Sequence, residues 1–231
     1  MHRLFLILSL ALLAACGEAV PQGDASSRIL LLGDSMMAWN RTSGRSVGQV
    51  LEAGTGEDVV DRSVIGARYF WPLPVTGAAG MRLTAQYRDG DWDWVVLNGG
   101  GNDLLFGCAC SLCKGTVNRL ISEDGRSGAI PAFVKSMRDK GARVLYVGYL
   151  RNPGLQSPVK GCGPAANDLD ARLARLDALD PGFVFVPIAD LVPYRDRSYH
   201  DFDLVHPSPK GSREIALRIL QRLYAEEGKP G

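Results

Sequence analysis

Short apolar runs alternate with helix-like segments along most of the chain. The apolar runs are continuous, which is typical of strands covered on both faces, and they lie at 28–33, 58–64, 93–98, 143–149 and 183–186. The segments between them carry helical spacing or helix-terminal residues, and they lie at 47–53, 81–88, 130–140, 165–179 and 208–227. This alternation predicts an α/β fold in which a parallel sheet of about five strands has helices on both sides.

The composition is that of one globular domain. Hydrophobic residues make up 46% of the 231 residues and charged residues 22%, so the chain can bury a sizeable core. The formal net charge is +1 and no basic run or face stands out, so we expect no nucleic-acid partner. We expect a monomer whose folded domain covers residues 28–227.

The N-terminal region has the pattern of an export signal followed by a linker. A short basic start precedes the apolar run 4–13, which is too short to span a bilayer. Cys16 follows the letters LAA, and this segment resembles a bacterial lipobox, in which the cysteine is lipidated. We therefore expect a signal peptide at 1–15, a tether at 16–27 and a lipid anchor on the periplasmic face of a bacterial membrane. An ordinary signal peptide with an incidental cysteine is the alternative.

Two long loops, predicted at 99–116 and 150–164, each follow a strand and therefore leave the carboxyl edge of the sheet. Together they hold four cysteines, which are Cys108, Cys110, Cys113 and Cys162. An even number of cysteines in an exported protein predicts two disulfides, with three possible pairings. Because both loops leave the same edge, we expect at least one bridge between the 108–113 segment and Cys162. A zinc site with four cysteine ligands is the alternative.

Two short motifs near opposite ends of the chain carry groups suited to acyl transfer. Ser35 ends the motif Gly33-Asp34-Ser35 just after the first strand, and a serine hydroxyl becomes a good nucleophile when a base takes its proton. Asp203 and His206 lie three residues apart, so the carboxylate can hold the imidazole in one tautomer and stabilise its charged form. Each motif alone is also compatible with a turn or a helix cap.

A glycine-rich segment follows the third strand. Gly99-Gly100-Gly101 lets the backbone approach a ligand closely, and the amide of Asn102 can donate to a developing oxyanion. Gly66, after the second strand, can supply a backbone N–H to the same place. On its own, the segment is also compatible with a simple turn.

Taken together, these segments resemble the ordered sequence blocks of the SGNH (GDSL-like) hydrolase family over residues 28–225. The matching blocks are Gly33-Asp34-Ser35, Gly66, Gly100-Gly101-Asn102-Asp103 and Asp203-Leu204-Val205-His206. One departure is Met36, which stands where the family often has leucine.

The resemblance implies a flavodoxin-like three-layer α/β/α sandwich and ester hydrolysis through an acyl-enzyme, with no metal or cofactor. Ser35 would attack the ester, His206 would carry the proton, and Asp203 would orient His206. The N–H groups of Ser35 and Gly66 and the Asn102 amide would form the oxyanion hole.

A second serine and two tryptophans are weaker candidates. Ser46 lies in Gly44-Arg45-Ser46-Val47-Gly48, which matches the Gly-x-Ser-x-Gly elbow of α/β-hydrolases. That elbow needs a buried strand before it, whereas polar residues stand there in this chain, so Ser46 is disfavoured. Trp39 and Trp71 could stack against a sugar beside the site, although packing is the commoner role of such residues.

The leading hypothesis is a serine esterase or deacylase that acts on a small ester or an acylated glycan. The alternatives are an acyltransferase that moves an acetyl group to a glycan and a glycan-binding lipoprotein without catalysis. We expect short acyl groups, because the loops that flank the site are rich in glycine, proline and polar residues. The run Leu104-Leu105-Phe106 is the one apolar candidate for a longer groove, and packing under the cysteine loop is its alternative role.

Overall fold

The computed structural model of the protein describes residues 27–229. Its centre is a sheet of five parallel strands, which are β1 (Ile29–Leu32), β2 (Val59–Asp61), β3 (Trp94–Leu97), β4 (Arg143–Val147) and β5 (Phe183–Val186). The strand order is β2-β1-β3-β4-β5, with every neighbouring pair parallel. The predicted parallel sheet of five strands is therefore confirmed.

Helices cover both faces of this sheet. They are α1 (Ser35–Ala38), α2 (Val47–Thr55), α3 (Gly101–Cys108), α4 (Lys114–Leu120), α5 (Ala129–Arg138), α6 (Gly163–Asp177) and α7 (Pro209–Glu227). Shorter helical turns lie at Arg41–Ser43, Pro74–Thr76, Gly77–Met81, Leu83–Gln86, Lys160–Cys162 and Arg197–Tyr199. Helices α2 and α7 pack on one face, and α4, α5 and α6 pack on the other. The result is the expected three-layer sandwich.

Successive residues of each strand enter two separate cores. In β1, Leu30 and Leu32 pack with α4, α5 and α6, whereas Ile29 and Leu31 pack with α2 and α7. All four side chains are almost fully buried. Burying one such side chain stabilises the fold by about 1.5–3 kcal/mol. Burial on both faces explains why the strands have continuous apolar sequences.

The strand order places a crevice at the carboxyl edge of the sheet. From β1 the chain continues to β2 on one side, and later to β3 on the other, and ligands of open α/β sheets bind where the order reverses in this way. Leu32 pairs with Leu97, and Leu97 pairs with Tyr146. The residues that follow β1, β3 and β4 therefore meet at one edge.

The segment predicted as the loop 99–116 is mostly helical, so that prediction is wrong. Helix α3 begins after Gly100, whose φ is 95°. It ends at Cys108 and is followed by two left-handed residues, Ala109 and Cys110, whose φ values are 48° and 57°. Helix α4 then begins at Lys114. In the sequence, the glycines before α3 and the closely spaced cysteines after it are typical of loops. The helical stretch between them is too short to give a clear helical pattern of its own.

The helix predicted at 81–88 is wrong, because the chain forms one wide turn and one 3₁₀ turn there. Gly77–Met81 is a wide turn in which Gly80 has a φ of 106°, and Leu83–Gln86 is a 3₁₀ turn. Arg82 separates the two turns and is extended, with a ψ of 115°, so no regular helix runs through 81–88. The 3₁₀ turn also brings the Gln86 side chain into the interior, where it bonds the backbone of Gly33.

The signal peptide, Cys16 and all but the last residue of the tether lie outside the described residues. Within 27–229, no helix has both the length and the apolar character that a bilayer span requires.

Candidate active site

Ser35 is the first residue of α1 and is separated from β1 by only two residues. The Asp34 carboxylate caps this helix by accepting a hydrogen bond from Met36 N at 2.9 Å. Gln86 fixes the preceding turn, because its side chain accepts from Gly33 N at 2.8 Å and donates to Gly33 O at 2.9 Å. Ser35 is therefore held at the sheet edge by fixed backbone on both sides.

Asp203 and His206 form a hydrogen-bonded pair between β5 and α7. His206 Nδ1 lies 2.5 Å from Asp203 Oδ2, and Asp203 Oδ1 accepts the N–H groups of Val205 and His206 at 2.9 and 3.0 Å. Leu204 has a φ of 56°, and this left-handed residue lets the chain fold back on Asp203. Burial raises the pKa of Asp203, but these hydrogen bonds outweigh it and leave the pKa lowered. The carboxylate therefore stays ionised beside the imidazole.

Asn102 lies in the first turn of α3. Its Nδ2 donates to Ala67 O at 2.9 Å. The neighbouring Asp103 carboxylate is buried and accepts the backbone N–H groups of residues 69–70 at 3.0 and 2.9 Å. These contacts fix the start of α3 against the segment that follows Gly66, whose φ is 81°.

Ser35, Asn102 and His206 line one cavity of about 310 Å³ at the carboxyl edge. Much of the remaining wall is apolar, and it includes Met36, Leu104, Leu105, Leu150, Val159 and Ala166. Gly66 is not among the residues that line this cavity, so its part in an oxyanion hole stays a prediction. Ser35 and His206 make no hydrogen bond to each other here, and such contacts often tighten only when substrate binds.

The four cysteines of the described region form two disulfides, Cys108–Cys113 and Cys110–Cys162. The expected bridge between the 108–113 segment and Cys162 is confirmed. This pairing leaves none of the four sulfurs as a free thiolate, so it argues against the zinc alternative. Because Cys162 lines the cavity, the second disulfide joins the cavity wall to the turn after α3.

Ser46 has a structural role. It is fully buried and caps α2, where Gln49 N donates to its hydroxyl at 3.3 Å and the Gln49 side chain accepts from Ser46 N at 3.0 Å. This reciprocal pair is a capping box, which explains the Gly-x-Ser-x-Gly match without any catalytic role.

The two tryptophans each have one ring face covered by protein. Trp39 stacks on His206, and the guanidinium of Arg68 lies over Trp71, 4.9 Å from the ring centre. Trp71 Nε1 also donates to Thr76 Oγ1 at 2.8 Å. Stacking of a sugar on either ring stays a prediction.

Two polar residues of the site are absent from the sequence-based prediction. Gln86 holds Gly33, as described above, and Tyr149 donates its hydroxyl to Asp34 Oδ2 at 2.5 Å. Tyr149 lies just past the carboxyl end of β4, and that position is the signal that could have identified it. Gln86 lies on an irregular segment, and no comparable signal marks it.

The described residues place a serine, a histidine–carboxylate pair and a side-chain amide around an apolar cavity on an α/β sandwich. This fold and this site define an ester hydrolase. The chain belongs to the GDSL-like lipase/acylhydrolase family, whose family model matches residues 31–214. No curated protein sequence matches the chain.

Solved structures share the fold at low sequence identity. A protein from Slackia heliotrinireducens described as an SGNH hydrolase is 21% identical, with a TM-score of 0.58 over 85% of this chain and 98% of that one. A family two carbohydrate esterase from Clostridium thermocellum, solved as an active-site mutant with a bound oligosaccharide, is 16% identical, with a TM-score of 0.61 over 90% of this chain and 66% of that one. An extracellular lipase from Streptomyces rimosus is 18% identical, with a TM-score of 0.55 over 86% and 99%.

Proposed function

We propose that the protein is a serine esterase or deacylase that works through an acyl-enzyme on Ser35. His206 takes the proton of the Ser35 hydroxyl as its oxygen attacks the ester carbonyl carbon, and then gives that proton to the departing alcohol. Water next attacks the acyl-serine with His206 again as base, which releases the carboxylic acid and restores Ser35. Asp203 keeps His206 in the tautomer that accepts a proton at Nε2.

The oxyanion hole of the proposed reaction combines backbone and side-chain donors. The Ser35 N–H lies at the N-terminus of α1, and the Asn102 amide, which also lines the cavity, has a second N–H besides the one bound to Ala67 O. Such donors stabilise the charge that develops on the carbonyl oxygen. We include the Gly66 N–H as a third donor because of the resemblance between the sequence blocks.

The observation that carries the proposal is the shared cavity. Ser35 and His206 come from opposite ends of the chain, yet both line the same apolar space, and His206 is already paired with an ionised carboxylate. A protein that only binds a ligand has no need of a nucleophile, a base and an orienting acid around one cavity.

The decisive experiment compares two serine variants of the full-length protein with p-nitrophenyl acetate. Ser35→Ala is expected to lower kcat by about 10⁶-fold, since the nucleophile of a triad is lost. Ser46→Ala is the matched control, and it is expected to cost about 1 kcal/mol of stability through the lost helix cap while keeping the activity. An active Ser35→Ala protein, or wild-type turnover no faster than background, would refute the proposal.

We propose small esters or acylated glycans as the substrate class. The resemblance to a carbohydrate esterase crystallised with an oligosaccharide supports the glycan as a candidate. Incubation with acetylated oligosaccharides should release acetate. If an unacetylated acceptor instead gains acetyl groups faster than acetate is released, the protein is an acyltransferase that uses the same acyl-serine.

We propose that the mature protein is anchored to a periplasmic membrane surface through Cys16. The lipobox-like letters before Cys16 support this assignment. Expression of wild type and Cys16→Ala in a bacterial host, followed by detergent partitioning, tests it. The wild type is expected in the membrane fraction and the variant in the aqueous fraction, whereas identical partitioning would exclude the anchor.

A further inference from the structure

One phenolic hydroxyl joins the two turns that carry the proposed nucleophile and the proposed oxyanion donor. Tyr149 Oη donates to Asp34 Oδ2 at 2.5 Å, and it accepts the N–H of Gly101 at 2.9 Å. Asp34 immediately precedes Ser35, and Gly101 immediately precedes Asn102. Tyr149, which lies just past the end of β4, therefore connects the residues next to both groups.

The fit around this hydroxyl is close. A side-chain carbon placed on Gly101 would lie 2.6 Å from ring atoms of Tyr149, which is too short for any real contact. The Tyr149 ring also forms part of the cavity wall. Any movement of Tyr149 would therefore be transmitted to the start of α3 and to the cavity together.

The hydrogen bonds of Asp34 fit an ionised carboxylate. Its Oδ1 accepts Met36 N and its Oδ2 accepts Tyr149 Oη, so both oxygens act as acceptors. Burial dominates and raises the pKa of Asp34 overall, and the hydrogen bond from Tyr149 offsets part of this shift. The charge of His206 also lowers the pKa of Asp34, whereas the charge of the nearby Asp103 raises it.

We infer that Tyr149 is a positioning residue, which fixes the distance between Ser35 and Asn102 by binding Asp34 and Gly101 at once. The inference rests on the proposed function. Without the hydroxyl, the buried Asp34 oxygen and the Gly101 N–H both lose their partner, and the two turns can move independently. The reaction then loses alignment between attack on the carbonyl carbon and stabilisation of its oxygen, while the apolar cavity that binds the substrate is kept.

The test compares Tyr149→Phe with Tyr224→Phe in the full-length protein. Tyr224 is the control, because its hydroxyl donates a hydrogen bond to Gly54 O at 2.7 Å and the residue does not line the cavity. For Tyr149→Phe we expect kcat for p-nitrophenyl acetate to fall about tenfold or more with KM changed less than about twofold.

A double-mutant cycle separates positioning from general loss of stability. In an Asp34→Asn background, Tyr149→Phe should lower kcat by a smaller factor than in the wild type, since the hydrogen bond between Tyr149 and the Asp34 carboxylate is already lost. If Tyr149→Phe and Tyr224→Phe have equal effects on kcat, or if Tyr149→Phe lowers kcat by the same factor in the wild type and in the Asp34→Asn background, the inference is wrong.

A second measurement is independent of esterase activity. Carbon-13 NMR of aspartate-labelled protein, with the Asp34 signal identified by Asp34→Asn, should give a higher pKa for Asp34 in Tyr149→Phe than in wild type. An unchanged pKa would overturn the contact on which the inference depends. Failure of the proposed function would instead appear as an inactive wild type with the Asp34 shift intact.

Discussion

The indole ring of Trp39 lies flat on the imidazole of His206, with ring centroids 3.8 Å apart and an angle of 4° between the planes. Trp39 Nε1 donates to Asp201 Oδ2 at 2.8 Å, and Asp201 N donates to the backbone oxygen of His206 at 2.8 Å. With Asp203 bound at Nδ1, the imidazole is thus held at its edge and on one face.

Replacement of Trp39 should affect catalysis according to how much of this support is lost. Trp39→Leu removes the stacked ring and is expected to lower kcat about tenfold. Trp39→Phe keeps an aromatic face but loses the hydrogen bond to Asp201, so a loss of only about twofold to threefold is expected. Steady-state kinetics on folded protein gives the comparison, and an equal loss in both variants would show that the stack does not matter.

The two disulfides should differ in their contribution to stability. Cys110–Cys162 closes a separation of 52 residues and Cys108–Cys113 one of 5, and loop-closure entropy grows with this length. Removing the longer bridge with Cys110→Ser and Cys162→Ser is expected to cost about 4 kcal/mol of unfolding free energy, against about 2 kcal/mol for the shorter one. Urea unfolding without reductant measures both losses.

The same variants report on the cavity. Because Cys162 lines it, loss of the longer bridge should also raise KM, whereas loss of the shorter bridge should leave KM close to that of the wild type. Equal unfolding free energies for the two double variants would contradict the entropic interpretation.

The architecture follows from local signals in the sequence, and so do the principal site residues. Five apolar runs give the strands, because a strand buried on both faces needs a continuous apolar sequence. Ser35 and Asn102 each follow such a run, so their placement at one edge follows from parallel topology, whereas His206 lies in the irregular segment between β5 and α7. Their assignment as a set depends on the family resemblance, since each motif alone is compatible with an ordinary turn.

Contacts between distant segments were not accessible from sequence. Gln86 binds Gly33 across 53 positions, and Tyr149 binds Asp34 across 115. The sequence around Gln86 or Tyr149 does not indicate which residue each one binds. These contacts depend on how irregular segments pack in the folded protein. The helix α3 was missed for a related reason, since glycine and cysteine signals at its ends are local and its packing is not.

Acid should destabilise the protein through His200. This side chain is buried, its Nδ1 has no partner within the described residues, and burial lowers its pKa below the ordinary value of 6.5. The unfolded chain therefore takes up a proton below about pH 6.5 that the folded protein resists, so the free energy of unfolding falls as the pH falls through this region. The contribution cannot exceed about 1.4 kcal/mol per pH unit.

Denaturant titrations of wild type and His200→Gln check this expectation over a range from about one pH unit above the ordinary histidine pKa to about 1.5 units below it. The variant should lose part of the pH dependence. A variant whose stability follows the wild-type slope would assign the acid sensitivity to other groups.

The acyl group that the cavity accepts is expected to be short, from acetyl to butyryl. Leu104 and Leu105 line the cavity, whereas Phe106 is 65% exposed and does not line it, so the apolar run does not continue as one groove. Each further CH₂ of a longer chain would gain about 0.8 kcal/mol only where apolar wall of the cavity covered it.

The Cys110–Cys162 bridge also joins the wall at Cys162 to the turn after α3, which restrains the cavity from widening. The ratio kcat/KM should therefore peak at short p-nitrophenyl esters and shift to longer ones in Leu105→Ala, which removes part of the wall. A wild-type maximum at about eight carbons or beyond would show that the cavity extends into a groove and would indicate a lipase.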